Sequence, residues 1–217
     1  MKKLDRYQRV CNYLCKVFRA VNEYYFDGEL ETPTITIQSS IGAYGHITTR
    51  RTWIGDGIES YELNIGAETL SRPIENVVAT MIHECCHLYA LSHNLKDTSN
   101  RGIYHNSTFK KIAEEKGHLQ IDRHEKYGWT ITSPTEDTID FCISYGFEDI
   151  LLNRDTPYAM VGIGVPKAGN GSSPTARVKK PSSTRKYICP CCGNSFRATK
   201  NINVLCMDCN TQYVIAG

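Results

Sequence analysis

Apolar residues recur at steps of mostly three and four from Leu4 through Tyr7, Val10, Leu14, Val17, Phe18 and Val21 to Tyr25. That spacing predicts an amphipathic helix over 4–25 with one face turned to a core. Asp27-Gly28 stops it. Three strand-like runs follow, Thr34 to Gln38, Ala43 to Trp53 and Tyr61 to Ile65, punctuated by Gly42, the Gly55-Asp56-Gly57 turn and Gly66. Ser71-Arg72-Pro73-Ile74-Glu75 then carries a helix start, with serine and proline ahead of an acid in the first turn. A strongly apolar helix is predicted from Ile74 to Leu91. Further helices are predicted from Ser107 to Lys116, ended by Gly117, and from Asp137 to Asn153.

The pattern lapses over residues 162–186, GIGVPKAGNGSSPTARVKKPSSTRK, where Gly, Pro, Ser and Lys dominate and no packing face can be drawn. Such a stretch reads as a flexible basic linker. Residues 187–217 form a small second unit. The predicted organisation is therefore a main domain over 1–161, a linker over 162–186 and a unit over 187–217. A chain of 217 residues can fill one sizeable core and an appendage of this kind.

Composition narrows the class. Apolar residues make up 41% and charged residues 22%, ordinary globular usage that excludes a disordered, collagenous or coiled-coil chain. No run approaches the roughly 18 to 20 apolar residues that cross a bilayer, so no membrane partner is expected. MKKLDRYQRVC reaches an acid and two arginines before any apolar block, unlike a signal peptide, which points to the cytoplasm. Ten cysteines do not form a secreted disulfide framework here, because four of them stand in two C-x-x-C pairs near the C-terminus. Charge is unevenly spread. From Gly162 onward eight Lys or Arg face one acid, Asp208, for a net +7, whereas residues 1–161 hold 17 basic and 22 acidic groups. A cluster of that sign suits a polyanion such as DNA.

Within the apolar helix lies His83-Glu84-Cys85-Cys86-His87, an H-E-x-x-H. Residues i and i+4 share a helix face, so both imidazoles can reach one ion, with Glu84 placed to contact a water on that ion. Zinc with three protein ligands keeps a fourth position for water and lowers its pKa to about 7. Glu84 can then take the proton and pass it to a leaving amine. The flanks Val77 to Ile82 and Leu88 to Leu91 bury the helix, and burying two histidines and a carboxylate without a partner is costly. Cys85 and Cys86 read as small buried residues.

Two histidines compete for the third ligand. His93 has the H-E-x-x-H-x-x-G-x-x-H spacing, but Ala90 stands where that pattern uses a glycine to turn the chain back. His105 stands immediately before the next predicted helix and can be held rigidly against the first, so it is favoured. His46, His118 and His124 read as surface or strand histidines. Tyr89, Tyr104 and Arg123 are available to stabilise an oxyanion, and nothing in the sequence selects one.

The order helix, three strands, H-E-x-x-H helix and a delayed histidine followed by Ser107-Thr108-Phe109 resembles the SprT-like zinc metallopeptidase family, which is related to the Spartan-type proteases that cleave proteins crosslinked to DNA. The matching pieces are Tyr25-Phe26-Asp27-Gly28-Glu29-Leu30, Tyr61 to Ile65, His83 to His87 and His105 to Phe109, within about residues 4–130. The resemblance implies an α+β, zincin-like domain: an N-terminal helix, a three-stranded sheet, the HExxH helix and further helices. It also implies catalytic zinc on His83, His87 and His105, with Glu84 catalytic. Tyr104-His105-Asn106 stands where members often have Gly-His-Gly.

A second metal site is legible near the C-terminus. Cys189-Pro190-Cys191-Cys192-Gly193 is followed, with thirteen residues between Cys192 and Cys206, by Cys206-Met207-Asp208-Cys209. That frame is a zinc ribbon whose two knuckles close a tetrahedral four-thiolate site. Cys189, Cys192, Cys206 and Cys209 are the expected ligands, and Cys191 is the spare. The site is closed and therefore structural, since a unit of this size cannot fold on its own core. SprT-like proteins often carry such a ribbon. Phe196, Arg197, Lys200 and Tyr213 offer an aromatic and basic surface for nucleic acid.

The sequence thus points to a zinc-dependent metalloendopeptidase with one catalytic and one structural zinc. The resemblance alone implies substrates among DNA-associated proteins and a role in DNA repair; the basic linker and the ribbon would contact DNA. The competing reading is a non-enzymatic, zinc-containing DNA-binding or regulatory module. The glutamate argues against it, because a purely structural site has no use for Glu84. The sequence does not give the oligomeric state.

Overall fold

A computed structural model describes residues 3–40, 42–155, 185–198 and 201–215. The chain divides into two compact units, Met1–Val165 and Pro166–Gly217. Most of the predicted linker, residues 162–184, lies outside the described residues.

The first unit opens on helix α1, Tyr7–Phe26, whose buried face of Val10, Leu14, Val17, Phe18, Val21 and Tyr25 follows the predicted stripe. Leu4 is buried too, but it precedes the helix, as Arg6 is already extended. Asp27 closes α1 in the left-handed region. Strands β1 (Thr34–Gln38), β2 (Gly45–Ile47) and β5 (Glu62–Gly66) form a three-stranded sheet in the order β1-β5-β2, with β1 parallel and β2 antiparallel to β5. Leu63 and Ile65 of β5 are fully buried.

The run read as one strand over Ala43 to Trp53 is broken. After β2 the Thr48 hydroxyl accepts the Glu62 N–H at 3.0 Å and donates to the Arg50 carbonyl at 2.8 Å. The Thr48 N–H still donates to the Glu62 carbonyl, but the return bond goes to the side chain, and the polar residues Thr49 to Arg51 leave the sheet. The chain resumes as a separate hairpin of β3 (Trp53–Gly55) and β4 (Ile58–Ser60).

Helix α2, Ile74–Ser92, begins where the Pro73 signal places it. Its first free amide, that of Ile74, is capped by the Asp149 carboxylate at 2.8 Å rather than by Ser71. The helix is buried on most of its surface and touches α1, β2 and β5. Beyond it come β6 (Thr98–Ser99), β7 (Tyr104–His105), α3 (Ser107–Glu115), β8 (Gln120–His124), β9 (Gly128–Ser133) and α4 (Glu136–Ser144). The four strands form a second sheet in the order β6-β7-β9-β8, where the pattern predicted no strands. Among the described residues no helix is long and apolar enough to cross a membrane.

The last predicted helix, Asp137 to Asn153, is corrected to α4. Gly146 takes a φ of +62° and donates to the Ile143 carbonyl, while Phe147 donates to the Cys142 carbonyl. This paired closure ends a helix at a left-handed residue, which glycine adopts without a Cβ penalty. The chain then runs on without helix, burying Phe147 and Ile150. The Tyr13 hydroxyl accepts from the Glu148 N–H and donates to the Glu148 carbonyl.

In the second unit β10 (Arg185–Ile188), β11 (Ser195–Ala198) and β14 (Val214–Ile215) form a sheet in the order β11-β10-β14. β12 (Leu205–Cys206) pairs with β13 (Thr211–Gln212). β10 starts two residues ahead of the boundary drawn at 187. Tyr187 and Phe196 stack with ring centroids 5.2 Å apart, and Tyr213 meets Phe196 edge-on at 5.0 Å. These aromatics pack on one another in the unit's small core, with Phe196 and Tyr213 half-buried; of the basic residues expected beside them, Lys200 and the Arg197 side chain lie outside the described residues.

Candidate metal centres

Helix periodicity places His83 and His87 one turn apart on α2, with ring centroids 5.0 Å apart. His105 arrives from β7, on the last residue but one before α3, and its ring lies 4.9 Å from His87 and 5.2 Å from His83. All three rings rest on Phe109, in the first turn of α3 and fully buried, at 4.5 to 4.7 Å. Each histidine offers a ring nitrogen, and the three atoms lie within 4.8 Å of one another.

The outer nitrogens decide which lone pairs face inward. His87 Nδ1 lies 2.5 Å from Asp97 Oδ2, and His105 Nδ1 lies 3.4 Å from the Tyr127 carbonyl oxygen. Carboxylate and carbonyl oxygens can only accept, so both imidazoles carry a proton on Nδ1, and in the neutral form each presents a bare Nε2. Those two Nε2 atoms stand 3.1 Å apart. Two lone pairs facing at that distance repel unless a cation sits between them. Tetrahedral zinc at 2.0–2.1 Å from each nitrogen would place them about 3.3–3.4 Å apart. The donor set therefore fits zinc. His83 Nδ1 lies 2.7 Å from the Thr132 hydroxyl of β9. Burial, then the neighbouring rings of His87 and His105, hold His83 far below the usual imidazole range. Burial and His87 push His105 down to about 4. Both are neutral near pH 7, as metal ligands must be.

Glu84 is 5% exposed. Burial pushes its carboxyl up to about 7, against the pull of His87 and of a hydrogen bond from the Ile47 backbone. A cation alongside would draw it back down. Asp97 sits in the loop after α2, Thr132 on β9, and Gly45 against Glu84, and none was singled out in the sequence. Asp97 carries no local signal. Thr132 could have been found from the alternation of Gly128 to Ser133 as a strand.

His93 stacks on Tyr89 at 4.0 Å and approaches Glu29 at 3.9 Å. It is not part of the cluster. His46 faces Glu62, His118 faces Asp137 and His124 lies on β8. Tyr89 also meets Phe26, and the Tyr104 hydroxyl accepts from Arg123 at 3.3 Å. Cys85 and Cys86 are fully buried, and burial pushes both thiols up, as packing residues should be.

In the second unit the sulfurs of Cys189, Cys192, Cys206 and Cys209 lie within 4.8 Å of one another. Cys192 and Cys206 Sγ are 3.7 Å apart. Tetrahedral zinc at about 2.3 Å from each sulfur requires about 3.8 Å, so this set fits as well. Cys189 donates its N–H to the Asn194 carbonyl, and its own carbonyl accepts from Gly193, closing a knuckle. The thiols are unequal: a backbone hydrogen bond from Cys192 helps bring Cys189 down to about 7, whereas its hydrogen bond with Cys192 pushes Cys209 up. Cys191 is exposed.

A family model described as the SprT-like family matches residues 14–132, more than half of the chain. That span holds the three histidines and Glu84 and stops well short of the four cysteines. No curated protein and no solved structure matches the chain.

Proposed function

The chain belongs to the SprT-like family, and from that premise we propose that it is a zinc-dependent metalloendopeptidase. The observation that carries this reading is the buried Glu84 carboxyl beside three imidazoles, two of which are held so as to present bare Nε2 atoms to a common point. His83, His87 and His105 would hold the catalytic ion. Zinc there would supply Lewis acidity toward a peptide carbonyl and lower the pKa of water to about 7. The chain's own residues do the rest. Glu84 accepts a proton from the attacking water and returns it to the leaving nitrogen, a task suited to a carboxyl near 7 or modestly below. Asp97, the Tyr127 carbonyl and Thr132 hold the rings in orientation. β2 stands at the edge of its sheet with Ile47 hydrogen-bonded to Glu84, so its unpaired side can align an extended substrate backbone by strand addition.

Cys189, Cys192, Cys206 and Cys209 would hold a second, structural zinc. The proposed division is a peptidase domain over 1–161 and a ribbon at the C-terminus, joined by a basic segment. Eight cationic residues against one acid beyond Gly162 support DNA contact, and with it substrates among DNA-associated proteins.

The test is Glu84→Gln. The variant should keep both metals and lose cleavage of casein, with and without DNA. Cleavage that survives undiminished would overturn the mechanism. A wild-type protein that binds both metals and cleaves nothing would favour the non-enzymatic module.

A further inference from the structure

His105 returns to His87 after seventeen intervening residues, which hold the last turn of α2, β6 and the loops around it, and one residue touches both ends of that return. The Asp97 carboxylate meets His87 Nδ1 at 2.5 Å, with both side chains only 13% exposed. The Asp97 backbone carbonyl accepts the Asn106 N–H at 3.0 Å. Asn106 directly follows His105. Its side chain donates to the Lys96 carbonyl at 2.7 Å and accepts from Thr108 and Phe109 N–H at 2.8 and 3.2 Å, capping α3. On the other side the His105 N–H donates to the Tyr127 carbonyl at 2.9 Å. Gly128, at a φ of +74°, has no Cβ, and one there would collide with the His105 carbonyl.

We propose that Asp97 and Asn106 form a clamp that positions the second and third ligands relative to each other. Asp97 is the positioning residue for His87: it fixes the Nδ1–H form and lends negative charge to the ring. Asn106 locks the Lys96-Asp97 segment to the residue next to His105, and the same side chain starts the helix that carries Phe109 beneath all three rings. One loop thereby sets both the tautomer of His87 and the placement of His105. Outer partners of this kind change metal affinity by about 10–100-fold when removed.

The inference rests on the metal reading above, and the experiment separates the two. The full chain, Asp97→Ala, Asp97→Asn and Asn106→Asp are loaded with zinc and challenged with graded chelator. Reactivity of the ribbon thiols reports that site's occupancy independently. Asp97→Ala should release the imidazole-bound zinc at about 10–100-fold lower chelator, with ribbon thiols protected as in wild type. Asp97→Asn, whose amide oxygen can still accept from Nδ1, should fall between the two. Asn106→Asp keeps the cap on α3 but loses the donor to Lys96, and should also weaken binding. Imidazole ¹⁵N shifts of the metal-free proteins should show the Nδ1–H form at His87 in wild type and Asp97→Asn. Should Asp97→Ala fail to fold, Asp97→Asn and Asn106→Asp decide. Wild-type chelator resistance in every folded variant overturns the clamp. A wild-type chain with no zinc beyond the ribbon's instead refutes the metal reading.

Discussion

Gly45 faces Glu84 and leaves no room for a side chain between them. A Cβ on Gly45 would stand 3.2 Å from Glu84 Oε1, 3.1 Å from Thr80 Cγ2 and 2.8 Å from the Asn64 carbonyl oxygen. The backbone oxygen cannot retreat without breaking β5, so β2 or the carboxylate must move instead. Gly45→Ala should therefore lower kcat by about tenfold or more, because small displacements of a catalytic group are expensive. Zinc content should stay as in wild type. Steady-state kinetics beside metal analysis checks this, and an unchanged kcat would show that Glu84 has room to shift.

His105 and His93 make opposite predictions. His105→Ala should drop the zinc content from about two per chain to about one, leaving the ribbon's ion. His93→Ala should leave it at two, since His93 packs on Tyr89 outside the cluster. Elemental analysis after dialysis decides between them.

Phe109 supports all three imidazoles and is fully buried. Phe109→Ala should destabilise the first unit by about 3–5 kcal/mol, the usual cost of a large aromatic cavity. It should also weaken metal retention, because the rings lose their floor. Denaturant unfolding monitored by the tryptophans, Trp53 and Trp129, measures the first effect. A loss below about 1 kcal/mol would mean that neighbouring groups collapse into the space.

Chelation should act differently on the two sets of cysteines. Ribbon folding is linked to metal binding, so strong chelator should make Cys189, Cys192, Cys206 and Cys209 reactive to thiol reagents. Cys85, Cys86 and Cys142 are buried in the first unit and should remain protected. Timed thiol titration with peptide mapping tests this, and ribbon thiols that react equally fast with and without chelator would argue against a metal there.

DNA binding should be salt-dependent. Replacing Lys179, Lys180, Arg185 and Lys186 by alanine in the full chain should weaken it and flatten its slope against salt, by about 0.9 for each duplex phosphate that is no longer neutralised. Binding by both proteins that ignores salt would point to a partner other than DNA.

Features that depend on neighbours a few residues apart were legible in the order of amino acids. Helix geometry fixes the facing of His83 and His87, and the tight knuckles fix the grouping of the cysteine pairs. The stripe of α1, the start of α2 and the pairing-competent runs of β1 and β5 were legible for the same reason. Even the end of α4 had a local sign, Gly146, that the apolar pattern from Phe147 to Leu152 obscured.

The remainder required the folded chain. Asp97 meets His87 because a loop folds back, and Thr132 meets His83 from forty-nine residues away. Gly45 matters because β2 passes over Glu84. The second sheet exists because β7, too short to read alone, pairs with β9 beside α3. Such contacts are set by how the chain returns through space, and no periodicity along it encodes them. The local motif supplied two of the clustered imidazoles and the carboxyl next to them; the sequence favoured His105 over His93 as the third, and packing brought it in together with the groups that orient the rings.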